Sequence, residues 1–185
     1  YYTKEFNDLL IVNKIDLSEG KIFDGSIELL IIDAMKSESI ANKIVKSFYP
    51  RVKKGALIFH QDFCHYHEPW IHIIQYKYKD HFTPICHIED TSAYLFRCKK
   101  EVSEQEIKES NIMDLSNEFI VKAFDHSLSL VEEQPGNQNI LACKIFCFML
   151  KHQFRIAAKI IRKILEYSEH IEDGNLSFVI KIANS

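Results

Sequence analysis

The sequence predicts an α/β fold organised around a strand, a helix and a second strand between residues 27 and 63. Residues 27–32 form an almost continuous apolar run, which is typical of a parallel-sheet strand buried on both faces. Ser37 or Ser39 can cap the helix that follows. Residues 56–59 form a second apolar strand. A strand, a helix and a second strand of these lengths predict a right-handed βαβ unit.

Two aspartates mark the ends of the predicted strands. Asp33 closes the first strand and Asp62 follows the second. Pro50 ends the intervening helix, because a residue before proline is pushed out of helical geometry, and Gly55 is predicted to turn the chain into the second strand. In parallel sheets ligands bind outside the carboxyl ends of the strands, so both aspartates are candidate site residues. The alternative is that each aspartate caps the next helix or turn.

The rest of the chain is predicted to add a hairpin and then helices. Pro69 suits the first turn of a helix reaching about residue 79. Residues 84–88 and 93–98 are separated by so short a connection that they predict an antiparallel hairpin. Four later segments complete the pattern: a capping box at 103–106, an amphipathic stretch around 119–131 ended by Pro135 and Gly136, an αα-hairpin of 139–151 and 154–167, and a last helix at 176–183.

This pattern divides the chain into two predicted parts. Residues 1–102 form an α/β domain, and residues 103–185 form a helical tail. The αα-hairpin is similar to a tetratricopeptide-type helix pair, but no second copy follows at the right period. We therefore predict a single helical appendage, not a repeat array.

Composition restricts the class of protein. The chain has 185 residues, of which 46% are hydrophobic and 26% charged, as in ordinary globular proteins. A net charge of -3 favours neither nucleic acid nor an anionic membrane as partner. The five cysteines lack paired spacing, which predicts reduced thiols and a cytoplasmic protein. Cys143 and Cys147, one helical turn apart, are expected in the core.

From the amino-terminal region we expect that the natural protein has a further portion before residue 1, which this sequence lacks. The chain opens on Tyr1, and its five glycines form no Gly-rich phosphate loop. Residues 9–15 fit either a strand or the end of a helix, with turn signals at 18–20 and 23–25.

Three motifs carry a resemblance to a known family. They are IDAMKS at 32–37, FYPRVKKGALIFHQDF at 48–63 and HEPWIHI at 67–73. Over about residues 27–100 the chain resembles the class I S-adenosylmethionine-dependent methyltransferases, and more narrowly the bacterial domains with IDAxKS and QQDYxHxxxPWI motifs. The resemblance implies a partial Rossmann-like sheet, in which 27–33 and 56–59 are the fourth and fifth strands and the hairpin is the reversed sixth and seventh. The first three strands and the cofactor-binding glycine motif would lie upstream.

The resemblance also assigns residues and shows departures. It implies that Asp33 and Ala34 border S-adenosylmethionine. Metal-dependent sugar O-methyltransferases of similar fold carry IDGD and DDY, where this chain has IDAM at 32–35 and QDF at 61–63. Met35 and Gln61 therefore replace two acids of those enzymes. Asp33 and Asp62 remain as candidate ligands of a divalent metal.

Histidines concentrate beside the second aspartate. His60, His65, His67 and His72 are four of the nine histidines and fall within thirteen residues. With Asp62 they could bind a divalent metal, or one could act as general base near neutral pH. The alternative is a hydrogen-bonded loop that orders a lid. We select Asp62, His60 and His65 as catalytic candidates and His67 as a substrate-binding candidate.

Two aromatic residues complete the candidate site. Tyr66 and Trp70 can wall a substrate or adenine pocket by stacking, although aromatic residues at a helix start are more often core.

Three functions are compatible with these observations. The first is methyl transfer from S-adenosylmethionine to an oxygen of a sugar or small metabolite, with Asp62 or a neighbouring histidine holding the acceptor. The second is a non-catalytic methyltransferase-like scaffold whose helical tail binds a protein partner or forms a homo-oligomer. The third, a zinc-dependent hydrolase using the histidine cluster, is the weakest.

Overall fold

The structure, a computed structural model, describes residues 16–17, 25–131, 136–167 and 174–183. The sequence-based expectations for residues 9–15, 18–20, 23–24 and Pro135 concern residues outside these ranges. The strands are β1 (Ile27–Ile32), β2 (Val52–His60), β3 (Phe82–His87) and β4 (Tyr94–Cys98). The α-helices are α1 (Glu38–Phe48), α2 (Pro69–Lys77), α3 (Asn117–Leu128), α4 (Gly136–Leu150), α5 (Phe154–Tyr167) and α6 (Asn175–Ala183).

The four strands form one mixed sheet in the order β1-β2-β4-β3. β1 and β2 pair in parallel, and β4 runs antiparallel to both β2 and β3. The predicted α/β class, parallel pair and antiparallel hairpin are confirmed. The carboxyl ends of β1 and β2 therefore lie side by side, with Ile32 opposite His60.

The helix between the parallel strands has the predicted boundaries. The Ser37 hydroxyl accepts a hydrogen bond of 3.3 Å from the backbone N–H of Ile40 and caps α1. Pro50 follows the end of α1 and lies in a short 3₁₀ turn, Tyr49–Arg51. This turn leads directly into β2, because no further connection separates Arg51 from Val52.

The expectation that Gly55 turns the chain before the second strand is wrong. β2 already begins at Val52, and Gly55 lies inside it with φ of +90°. The pairing is irregular here, because Ile27 is opposite Val52 while Leu29 is opposite Leu57. Gly55 therefore allows a bulge that resets the register of β2 against β1, since side chains other than glycine rarely adopt positive φ.

The expectation that β1 is buried on both faces is also wrong. Leu30 and Ile32 are buried, whereas Leu29 and Ile31 on the opposite face are 55% and 61% exposed. We call this second side of the sheet the open face. Register and alternation place five apolar side chains on it: Leu29, Ile31, Leu57, Phe59 and Leu95. The part of the chain that the structure describes covers this face only partly.

The predicted capping box forms, but it does not start a long helix. Ser103 donates from its backbone N–H and hydroxyl to the Glu106 carboxylate at 2.9 and 2.8 Å, and together they close only a 3₁₀ turn, Glu104–Glu106. The long helix α3 begins after Ser116, whose hydroxyl accepts from Phe119 N–H at 3.1 Å. Gly136 opens α4 and does not end the preceding helix.

The helices after residue 103 share a core with the sheet. Phe124 of α3 packs its ring 4.8 Å from the ring of His72 on α2. Cys143 and Cys147 of α4 are fully buried and unpaired, as expected. The apolar residues of both predicted parts belong to one contiguous cluster. No described helix is long and apolar enough to cross a membrane.

The bulge at Gly55 leads to a stability prediction. A methyl group has open space there, so the cost of Gly55→Ala is conformational. We expect a loss of about 1–3 kcal/mol in the free energy of unfolding, measured by denaturant titration. Lys53→Ala, on the same exposed part of β2, should change it by less than about 0.5 kcal/mol. Equal effects of the two substitutions would contradict the assigned role of Gly55.

Candidate functional site

Asp33 and Asp62 meet at the carboxyl edge of the parallel pair, where one lysine links them. The Lys36 ammonium donates to Asp62 Oδ2 and lies 3.5 Å from Asp33 Oδ1. Its nitrogen also lies 3.2 Å from Oε1 of Glu68, the residue just before α2. Three carboxyl groups from three segments thus surround one ammonium. We call Asp33, Lys36, Asp62 and Glu68 the edge cluster.

The edge cluster perturbs the ionisation of its members. Partial burial opposes the charged form of Lys36, but hydrogen bonding and attraction to Asp62 and Glu68 raise its pKa above the ordinary value. Burial raises the pKa of Glu68 to about 7, and the negative charge of Asp62 adds to this while Lys36 opposes it. Lys36 therefore stays protonated, whereas the buried Glu68 can take up a proton near neutral pH.

Two of the predicted histidines lie next to the edge cluster. His65 and His67 have ring centroids 4.3 Å apart, and His65 Nδ1 lies 3.9 Å from Glu68 Oε1. Burial lowers the pKa of both imidazoles, with Lys36 adding repulsion in each case. The structure thus brings His65 and His67 together with Glu68 in the loop between β2 and α2.

His60 lies elsewhere, inside the core. Its side chain is 1% exposed, and its Nε2 is 2.6 Å from the amide nitrogen of Gln75, which also donates to the Tyr49 hydroxyl at 3.1 Å. Burial lowers the pKa of His60 to about 3. A neutral ring enclosed in this way is badly placed to take a proton from an acceptor arriving from solvent, so the structure favours His65 over His60.

His72 is also a core residue. Its ring packs between Phe63 and Phe124, with centroid distances of 5.2 and 4.8 Å. Neither ring nitrogen has a hydrogen-bond partner in the described part of the chain. Burial lowers the pKa of His72 to about 3. The cluster of four histidines seen in the sequence thus separates into a core pair and a loop pair.

The aromatic candidates lie on the flank of the loop pair. Tyr66 is half-buried, with its ring 4.7 Å from His67 and 6.3 Å from Phe178 of α6. Trp70 is half-buried and donates its indole N–H to the carbonyl oxygen of Met35, which ties α2 to the segment after β1. Both can border a ligand at the edge cluster, and Trp70 also has a structural role.

The predicted metal ligands hold a lysine side chain in this structure. Lys36 contacts both Asp33 and Asp62, so a divalent ion bound to the same two carboxylates would have to displace its ammonium. Asp33 is half exposed, whereas only 15% of the Asp62 side chain is exposed. The Asp33–Asp62 pair therefore fits a fixed cationic side chain better than a metal ion.

Sequence reasoning missed Lys36 and Glu68. Lys36 stands inside the IDAMKS motif, three residues after Asp33. Glu68 directly precedes Pro69, the first residue of α2. An acid at a helix start usually suggests capping, but Glu68 makes no side-chain cap bond. Only its orientation in the folded chain shows that it belongs to the site.

Comparison of the chain with known protein families, with curated proteins and with solved structures gave no match. The geometry of the edge cluster and of the loop beside it is therefore the guide to function.

The two core histidines predict acid sensitivity. Histidine has an ordinary pKa of 6.5, whereas the folded values are about 3. Below about pH 6.5 the unfolded chain binds protons that the folded chain excludes, so stability falls with pH by about 1.4 kcal/mol per pH unit for each histidine.

His72→Leu tests this linkage. The substitution removes one of the two groups that bind a proton only in the unfolded chain. Between about pH 6 and pH 4 the free energy of unfolding of the variant should therefore fall less steeply than that of the wild type, by about 1.4 kcal/mol per pH unit. Denaturant titrations at several pH values measure both slopes. Identical slopes would show that His72 does not contribute to acid sensitivity.

Proposed function

We propose that this chain is part of an S-adenosylmethionine-dependent methyltransferase of bacterial type that acts on an oxygen of a sugar or small metabolite. The observation that carries the proposal is the edge cluster. Asp33 and Asp62 follow adjacent parallel strands and are joined by Lys36 at the edge where such sheets bind ligands.

The sheet supports this proposal. A parallel pair continued by an antiparallel hairpin is the arrangement that the resemblance implies for the fourth to seventh strands. The open face supports it too, because parallel strands usually have both faces covered. The exposure of Leu29 and Ile31 favours a larger α/β sheet in which further residues pack on β1.

The described residues fit the cofactor along its border. Asp33 has an exposed carboxylate at the end of β1, and the adjacent Ala34 is half-buried without a bulky side chain. A ligand with hydroxyl groups can therefore approach and donate to Asp33. When bound, S-adenosylmethionine supplies the methyl group on its sulfonium.

The chain's own residues position the acceptor and remove its proton. Asp62 can accept a hydrogen bond from the acceptor hydroxyl and hold it in line with the methyl group. Lys36, fixed beside Asp62, can stabilise negative charge that develops on the acceptor oxygen as its proton leaves. His65, half-buried next to Glu68, is the second candidate for taking this proton.

Asp62→Asn tests the role of the carboxylate. We expect methyl transfer to fall by at least about 100-fold, because the acceptor loses its base or anchor. The assay follows labelled methyl transfer from S-adenosylmethionine to a panel of sugars and small hydroxylated metabolites, using the natural protein that contains this chain. Asp90→Asn is the matched control, since Asp90 lies in the β3–β4 loop at φ of +58°, which asparagine tolerates.

Two further readouts complete the Asp62 test. Thermal unfolding must show that Asp62→Asn still folds, and calorimetric titration with S-adenosylmethionine and its demethylated product measures cofactor binding. Full activity of Asp62→Asn would refute its catalytic role. Failure of the natural protein to bind either compound would refute methyl transfer.

A second candidate function is a scaffold that binds a protein partner through its helical tail. The favouring observation is that four large apolar side chains on α5 and α6 are exposed: Phe154, Leu165, Phe178 and Ile182. Exposed apolar side chains grouped on neighbouring helices often mark an interaction surface.

The scaffold function predicts that tail substitutions affect assembly without affecting the edge cluster. Phe154→Ser with Leu165→Ser should reduce the mass of the complex or homo-oligomer measured by light scattering, because apolar contact area is lost. Met113→Ser, another exposed apolar residue outside these helices, is the control. An unchanged mass in the double variant would contradict a docking role for α5.

A further inference from the structure

The loop between β2 and α2 brings together three side chains of metal-ligating type. His65, His67 and Glu68 each offer one ligand atom, and these atoms lie within 4.8 Å of one another. Two ligand atoms bound to one tetrahedral zinc ion at about 2.0–2.1 Å lie about 3.4 Å apart. The most distant pair of these atoms would therefore have to approach by up to about 1.4 Å, a movement that rotation of the two half-buried histidine side chains can supply.

The polar atoms of this group are buried without adequate partners. The Glu68 side chain is 1% exposed; its Oε1 is ion-paired with Lys36 at 3.2 Å, and its Oε2 has no hydrogen bond within the described residues. Nδ1 of His65 and Nδ1 of His67 are likewise buried and without a hydrogen bond there. Burying a carboxylate is costly unless donors or a positive charge compensate it, and Glu68 shares the one Lys36 ammonium with Asp33 and Asp62. Glu68 Oε2 and the two Nδ1 atoms, which lack hydrogen bonds, together point to a ligand that is a cation.

The surrounding charge supports a divalent ion. With all three carboxyl groups of the edge cluster ionised, the three negative charges of Asp33, Asp62 and Glu68 exceed the one positive charge of Lys36 by two. Lys36 also lies closer to Asp62 and Glu68 than to Asp33. One doubly charged cation beside Glu68 would balance the excess.

We propose that His65, His67 and Glu68 bind one divalent transition-metal ion, of which Zn²⁺ is the representative. Two imidazoles and one carboxylate suit zinc and related ions, whereas Mg²⁺ and Ca²⁺ prefer oxygen ligands throughout. Three protein ligands leave a coordination position for water or an oxygen-bearing ligand. This site differs from the Asp33–Asp62 pair and does not depend on methyl transfer.

Lys36 gives the site a distinctive property. Its ammonium lies 3.2 Å from Glu68 Oε1 and therefore close to the proposed ion, which it repels. Removing this charge should strengthen metal binding even though Lys36 is not a ligand. If His65, His67 and Glu68 had a purely structural role, removing the charge of Lys36 would not strengthen metal binding.

The experiment titrates Zn²⁺ alone against the natural protein that contains this chain, in competition with a chromophoric chelator. We expect one equivalent of Zn²⁺ to bind and thermal stability to rise with Zn²⁺ concentration. His65→Asn with His67→Asn should weaken binding by at least tenfold, whereas the matched control His152→Asn, an exposed histidine at φ of +56°, should leave it unchanged.

Lys36→Met keeps all three ligands and should tighten Zn²⁺ binding by several-fold, which makes the test independent of whether the double histidine variant folds. Unchanged affinity in a folded double variant would overturn the proposal, because the zinc would then be bound elsewhere. Weaker binding in Lys36→Met would also overturn it. Neither outcome bears on methyl transfer, which the Asp62→Asn assay decides separately.

Discussion

The parallel pairing of β1 with β2 is the constraint on which the rest of the structure depends. It sets Ile32 opposite His60, so the segments that leave the two strands start from neighbouring points. Both Asp33 and Asp62 then reach the same Lys36 ammonium. β2 also pairs with β4 on its other side, so one strand fixes the position of the hairpin as well. Gly55, at positive φ, allows this pairing because the residues by which β2 exceeds β1 form a bulge there.

The carboxylates at the carboxyl edge of the sheet surround the ammonium of Lys36. Met35, the second residue after Asp33, is buried, and Gln61 directly precedes Asp62, so neither neighbouring position supplies a further carboxylate to this edge. Lys36 instead provides a permanent positive charge between Asp33 and Asp62. The same ammonium also lies 3.2 Å from Glu68, one segment further along the chain, so one positive charge serves three carboxyl groups. A metal site at Glu68 would thus lie next to a methyl-transfer site at Asp62, and a metal-bound His65 would leave Asp62 as the base.

Much of the fold could be predicted because the signals were local. Ser37 caps α1, Pro69 opens α2, and the short β3–β4 connection forces a hairpin. A sequence-based expectation was wrong where one local sequence signal is compatible with two structures. Gly55 suits a turn or a bulge, and only strand pairing decides between them. The capping box at Ser103 forms as predicted and closes a 3₁₀ turn, and residues 107–115 form no helix after it.

The sequence by itself determined the α/β class, the order of its elements and the candidacy of Asp33, Asp62, His65 and His67. It determined these because apolar periodicity and strand-ending acids are properties of short segments. Only the tertiary structure decided that Lys36 and Glu68 join the edge cluster, while His60 and His72 enter the core. The reason is physical: which charges face each other, and which imidazoles lose their solvent, depends on packing between segments far apart in the chain.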